Sequence, residues 1–185
     1  LAALVCILGL GYFHSIHIPL LGELRLGWFG VPVTLLWIVG LTNSFNFMDG
    51  IDGITGGVAA AAGLGWMVLS VGTAGLHSDL AFWLALATTA ACLGFLGHNW
   101  HPARIFIGDV CSTFLGFTFA VLPLLSAKPG GGDALLVGTA VLWVYILDTS
   151  LTFLRRTPWA RAKVEALYLD SLPDMQPKQE GETPE

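Results

Sequence analysis

Charge is what this sequence has least of. Lysine, arginine, aspartate and glutamate make up 11% of its 185 residues, where a soluble domain carries roughly 25%. So few charges cannot cover a water-exposed surface, which excludes an ordinary soluble globular domain. Basic residues are scarcer than acidic ones, eight against thirteen. That leaves no basic face for nucleic acid, and no nucleic-acid partner is expected. Much of the formal net charge of −5 comes from the stretch after Leu169, which holds Asp170, Asp174, Glu180, Glu182 and Glu185. The three cysteines (Cys6, Cys92 and Cys111) are an odd number without zinc-ligand spacing, in or beside apolar segments. They read as reduced structural thiols. The basic stretch that starts a signal peptide is also lacking: Leu1 stands inside an apolar run, and the expectation is a piece of a longer protein rather than a leader.

What is present is apolar: 55% of the residues are hydrophobic and the mean hydropathy is +0.73. A membrane helix needs about 20 mostly apolar residues, or roughly 17 at the short end. On that rule residues 1–13 form part of a first span. Further spans are predicted at 31–48, with Pro32 in its first turn, and at 53–76, 80–97, 110–127 and 134–154. A loop over 14–30, with His14, His17, Pro19, Glu23 and Arg25, joins the first two, and a Gly-rich turn at 128–133 separates the last two. The Gly and Ala content of the third span lets another helix approach closely, so residues 56–65, Gly57 included, are predicted to pack against one. Thr157 and Pro158 read as the N-cap and first residue of a short amphipathic helix over 157–169. Trp159 and Tyr168 are its expected interfacial anchors, and 170–185 reads as a disordered polar tail. The fold class expected is all-α: a polytopic membrane helix bundle of about six spans over 1–156.

Successive spans alternate direction, so the end of the 31–48 span, the loop 98–108 and the end of the 134–154 span share one face. That face collects Arg104, Arg155, Arg156, Arg161, Lys163 and Lys178, against Arg25 and Lys128 on the other. The positive-inside rule makes it cytoplasmic. Asp49, Asp52 and Asp109 fall on it too, although the spans were counted without them.

Two polar blocks lie there. The first is Asn43-Ser-Phe-Asn46-Phe-Met-Asp49-Gly-Ile-Asp52-Gly53. Its asparagines are three apart, as are its aspartates, so each pair leans to one side of a helix or tight turn. Such a set can bind a cation, a phosphate-linked magnesium or a sugar. Asp-Gly is also ordinary turn chemistry, but two of them beside two asparagines in hydrocarbon-like sequence carry the cost of polar groups near a membrane interior. The second block runs from His98 to Ser112. Asp109 stands where a helix begins, with Ser112 at its third position, so it is either an N-cap or a magnesium carboxylate beside helix N–H groups that favour an anionic ligand. His98 and His101, three apart, read as polar-loop histidines, since zinc needs more ligands than the loop supplies.

The stretch Asn43 to Gly53 resembles the N-x-x-N-x-x-D-G-x-D-G block of the polyprenyl-phosphate N-acetylhexosamine-1-phosphate transferases. Asn99 to Gly116 resembles their N-x-x-P-A-x-x-F-x-G-D-x-G-S-x-x-L-G block, and the resemblance extends over roughly residues 1–156. It implies magnesium-dependent transfer (with manganese as the substitute) of a sugar 1-phosphate from a UDP-N-acetylhexosamine to undecaprenyl phosphate, with UMP leaving. The setting it implies is cell-envelope polysaccharide synthesis, O-antigen or similar, at the cytoplasmic face of a bacterial inner membrane. By motif matching, Asp49, Asp52 and Asp109 are the catalytic carboxylates and Asp109 the magnesium ligand. Asn43, Asn46, Asn99 and Phe106 line the substrate site, Phe106 resembling an aromatic that packs on uracil. The partners implied are the UDP-sugar, the prenyl phosphate lipid and the membrane; a homodimer is left open.

The chain also departs from the pattern. Cys111 stands where the family usually has Gly. The family's aspartate pair belongs in a loop upstream of where this sequence begins, and Thr157 to Asp170 holds no histidine where a His-containing loop is expected. Two alternatives follow: a chain that binds UDP-sugar without turning it over, and a transporter whose carboxylates line an ion path. The transporter fits less well, because transport sites sit near the bilayer midplane and these carboxylates gather at one face.

Overall fold

The computed structural model describes residues 1–18, 22–74, 80–126 and 133–156. The expected amphipathic helix over 157–169, the tail over 170–185 and most of the turn at 128–133 lie outside the described residues. Along the chain come α1 (Ala2–Leu10), β1 (Ser15–Ile18), β2 (Gly22–Arg25), a 3-10 turn (Gly27–Phe29), α2 (Gly30–Met48), α3 (Ile54–Ala74), α4 (Leu80–Asn99), α5 (Gly108–Ser126) and α6 (Asp133–Arg156). Two compact units divide at residue 146: Leu1–Ile146 holds the polar blocks, and Leu147–Glu185 is described only through the final turns of α6. Among the described residues six α-helices stand where six spans were expected. By length and hydropathy, Gly27–Met48, Leu80–Asn99 and Gly108–Ser126 can each cross a membrane, and Ile54–Ser70 is a shorter apolar helix. This is an all-α membrane bundle.

The loop expected at 14–30 is instead largely an antiparallel hairpin, with Ser15 opposite Arg25 and Ile18 opposite Gly22. Residues too polar for a span still have backbone groups to satisfy. Strand pairing does this, and the Leu26 amide extends the ladder by donating to the His14 carbonyl at 2.9 Å. Below the hairpin, the Phe13 amide donates to Thr34 Oγ1 at 3.0 Å, which in turn donates to the Gly30 carbonyl at 2.7 Å.

Two antiparallel helix pairs position the site. In the first, α2 runs against α5. Trp37 Nε1 donates to the Ala120 carbonyl at 3.0 Å, Phe45 stacks on Phe119 with ring centroids 5.6 Å apart, and Gly116 lies against the backbone of Leu41 and Thr42. In the second, α3 runs against α4, with Gly56 facing Phe95 and Leu96, and Gly63 facing Thr89 and Ala85. Small residues at these crossings let the backbones close up, the usual basis of helix packing in lipid. The Gly- and Ala-rich stretch 56–65 does pack on another helix, within the same chain. Gly57 is not part of that contact: a Cβ there would meet nothing within 4 Å, because it lies about 100° round the helix from Gly56. Several hydroxyls inside the apolar helices are satisfied locally. Thr42, Ser44, Thr88 and Thr118 each donate to the carbonyl four residues earlier, at 2.7–2.9 Å, as an environment without water requires. The cysteines are free thiols.

Because both pairs are antiparallel, the end of α2, the start of α3, the end of α4 and the start of α5 meet at one end of this unit. The 49–53 turn and the 100–107 loop therefore face each other, as span counting predicted.

Candidate active site

The two loops are stitched together by side chains from both polar blocks. Asn99, buried at the end of α4, uses both ends of its amide: Oδ1 accepts from the Gly53 amide at 3.0 Å and Nδ2 donates to the Ile105 carbonyl at 2.8 Å. Gly53 has φ +76, a left-handed conformation that glycine adopts without steric cost. Asp52 makes a second tie. Its Oδ2 accepts from the Ala103 amide at 3.1 Å and pairs with His101 Nδ1 at 3.0 Å. These donors, the Ala103 amide first, hold the Asp52 carboxyl below the ordinary carboxylate range. His101 is thereby explained as a carboxylate partner rather than half of a metal pair.

The third tie joins helices. Asn46 Nδ2 donates to Asp109 Oδ1 at 3.3 Å and to Ser112 Oγ at 3.2 Å, and Ser112 Oγ donates to the Asp109 carbonyl at 3.2 Å. Asp109 sits in the first turn of α5, after Gly108 at φ +70. Its Oδ1 is committed across the helix pair to Asn46, so Asp109 is not simply an N-cap of its own helix.

Asp49 stands at the end of α2, half-buried. Burial pushes its carboxyl above the usual range, the nearby Thr55 hydroxyl pulls it down, and the Asp109 charge pushes it up again. Thr55 Oγ1 is itself buried with no well-formed hydrogen bond, so it acts on Asp49 as a nearby dipole rather than through a closed bond. A carboxyl whose proton affinity is raised by burial and by a neighbouring carboxylate's charge is a place where a cation gains.

Of the residues expected at the site, Asn46 and Asp109 are in contact, Asp49 is near enough to feel the Asp109 charge, and Asp52 and Asn99 brace the loops beside them. Phe106 is 77% exposed in the 100–107 loop, with its ring open to a ligand. Asn43 does not join them: its side chain is exposed, its Nδ2 donates to the Val39 carbonyl of its own helix at 2.7 Å, and among the described residues no hydrogen bond links it to the three aspartates. Ser112 and Thr55 were the residues that motif reading left without a site role. The signal for Ser112 was its place one turn after Asp109; for Thr55 it was the first turn of α3.

Among the described residues no three His, Cys, Asp or Glu side chains cluster as a closed metal cage. Asp49 and Asp109 are a hard oxygen pair. That suits a magnesium-like ion, which binds through one or two carboxylates and keeps its other positions for phosphate oxygens and water. It does not suit zinc, whose structural sites close with four protein ligands.

The sequence model of the family described as Glycosyl transferase family 4 matches residues 1–127. A model of the DNA-binding protein VF530 matches only residues 146–169, a stretch too short to show a family. A Bacillus subtilis (strain 168) relative, a probable undecaprenyl-phosphate N-acetylglucosaminyl 1-phosphate transferase, is 38% identical over 141 residues, 75% of this chain and 38% of its own length. A phospho-N-acetylmuramoyl-pentapeptide-transferase of Synechococcus sp. is 43% identical over 112 residues, 60% of this chain and 31% of its own. A decaprenyl-phosphate N-acetylglucosaminephosphotransferase of Mycolicibacterium smegmatis is 35% identical over 149 residues, 71% of this chain and 37% of its own. The chain thus spans less than two-fifths of the length of each of these relatives. The matched region contains both polar blocks and the two helix pairs that bring them together, and the chain belongs to glycosyl transferase family 4.

Proposed function

We propose that this chain carries part of the active site of a sugar-1-phosphate transferase that acts on a polyprenyl phosphate. The observation that carries the reading is the Asn46–Asp109 bond between the two polar blocks, with Asp49 beside it, at one end of an apolar bundle. In the reaction, a phosphate oxygen of undecaprenyl phosphate bonds to the phosphorus that bears the sugar in a UDP-N-acetylhexosamine. The bridging P–O bond to the uridylyl phosphate breaks, and UMP leaves with the bridging oxygen. A lipid phosphate and a water-soluble nucleotide meet only at a membrane face, and the site stands at the helix ends. The loop residue Arg104 beside the site favours the cytoplasmic face of a bacterial inner membrane.

Asp109 and Asp49 are the residues that would hold Mg²⁺, or Mn²⁺ in its place. The bound ion would neutralise charge on the phosphate oxygens during transfer. Asp52, ionised by the Ala103 amide and His101, fixes the loop that presents Phe106, whose exposed ring offers a stacking surface to uracil. Asn99 sets the spacing of the two loops from below. The setting is cell-envelope polysaccharide synthesis.

Membranes carrying the chain, given undecaprenyl phosphate, UDP-N-acetylglucosamine and Mg²⁺, should yield a lipid-linked sugar and UMP in equal amounts, and Asp109→Ala should yield neither. Nucleotide-sugar binding without UMP release would replace the transferase by a binding chain. Ion flux in liposomes without sugar binding would overturn both.

A further inference from the structure

The resemblance assigns Asn46 to the substrate, but its contacts say otherwise. An asparagine amide nitrogen carries two hydrogens. Those of Asn46 go to Asp109 Oδ1 at 3.3 Å and Ser112 Oγ at 3.2 Å. Ser112 is fully buried, and its one hydroxyl hydrogen is used on the Asp109 carbonyl at 3.2 Å. Its oxygen is therefore left as an acceptor toward Asn46. The arrangement closes a small circuit, Asn46 to Ser112 to the Asp109 main chain and Asn46 to the Asp109 carboxylate, which fixes both the flip of the Asn46 amide and the rotation of the Asp109 side chain. The circuit depends on the α2–α5 register, which Gly116 sets one turn below by lying against Leu41, Thr42 and Phe45.

From this geometry we infer that Asn46 is a positioning residue for Asp109, with Ser112 as its anchor, and not a substrate ligand. The amide donor on Oδ1 leaves Oδ2, which accepts no hydrogen bond among the described residues, to face a divalent cation. The Nδ2 group cannot itself bind that cation, so this edge of the Asn46 amide orients the carboxylate without competing for the metal, in the manner of outer partners that hold metal carboxylates. The inference rests on the reading of Asp109 as the cation-holding group.

The test uses the whole chain in detergent micelles with Mn²⁺ as the probe and no nucleotide, free Mn²⁺ being followed by its electron paramagnetic resonance signal. Asn46→Ala should weaken Mn²⁺ binding by roughly 10–100-fold. Ser112→Ala, which keeps the amide but frees its flip, should weaken it less and in the same direction. The affinity for UDP-N-acetylglucosamine at saturating Mn²⁺ should stay within about twofold of wild type in both variants. The positioning role is overturned if Asn46→Ala keeps wild-type Mn²⁺ affinity while Asp109→Ala loses it, or if Asn46→Ala loses nucleotide-sugar affinity with Mn²⁺ binding intact. Mn²⁺ binding that Asp109→Ala leaves unchanged would overturn the metal reading of Asp109 and the inference with it.

Discussion

Gly116→Ala should loosen the helix pair that carries the site. A Cβ built at Gly116 would lie 2.8 Å from Thr42 Cα, 2.9 Å from Phe45 Cβ and 3.0 Å from the Leu41 carbonyl oxygen. Ordinary carbon–carbon contact is about 3.5–4.0 Å, so α2 and α5 must part by roughly 0.5–1 Å. Two of the three obstacles are backbone atoms, which no rotamer change can move aside. Overpacking of this kind costs about 1–3 kcal/mol. The shift is also felt one turn above, where the Asn46–Asp109 bond is already 3.3 Å long and a further half-ångström, roughly, takes it past the useful range. The assay is denaturant unfolding in mixed micelles, with Gly57→Ala as the matched control. Gly57 is also helical, and its Cβ would meet nothing within 4 Å, so that change should be neutral or stabilising by up to about 1 kcal/mol. Equal stability of the two variants would refute the close α2–α5 packing.

Asn99→Ala should destabilise the chain by about 2–4 kcal/mol, because it strands both the Gly53 amide and the Ile105 carbonyl; the same unfolding assay reads it, and loss of nucleotide affinity at unchanged stability would contradict the brace. Asp52→Asn should speed hydrogen exchange at the Ala103 amide, whose acceptor is Asp52. In wild type the same tie should persist above the unfolded carboxyl value of about 3.9 and be lost as pH falls through the lower folded value, since the folded pKa is depressed. Asp49 has the opposite sign: its folded pKa is raised, first by burial, so its ionisation opposes folding as pH rises above about 3.9. Asp49→Asn should therefore be more stable than wild type at neutral pH in metal-free buffer, with the gap closing in acid; a variant less stable at pH 7 would contradict the raised value.

Apolar run length located each described helix to within a few residues, because a bilayer core imposes a minimum span and lets few charges inside. Alternation of direction then placed Asp49, Asp52 and Asp109 at one end. The 14–30 segment looks like a plain loop in sequence because strand pairing is a non-local choice: the short runs that form β1 and β2 carry no span or helix signal. The error at Gly57 has a similar source. Composition marks a helix that can pack closely, but the side that packs depends on α4, and Gly56 and Gly63 point there while Gly57 does not. The division of labour within the motifs was also hidden. Spacing put Asn43 beside Asn46 and Asp49 beside Asp52, yet Asn43 turns back on its own helix, Asn46 crosses to Asp109, and Asp52 is spent on Ala103 and His101. Those differences arise from which partner each position meets across the helix pairs.

The account turns on one claim, that the two polar blocks form a single cation-assisted site for a nucleotide sugar. Equilibrium binding of labelled UDP-N-acetylglucosamine to the chain in micelles, with and without Mg²⁺, for wild type and Asp109→Asn, tests it most directly. Binding strengthened by Mg²⁺ in wild type, with that gain lost in Asp109→Asn, is the predicted result. Binding of equal strength in all four measurements would contradict it.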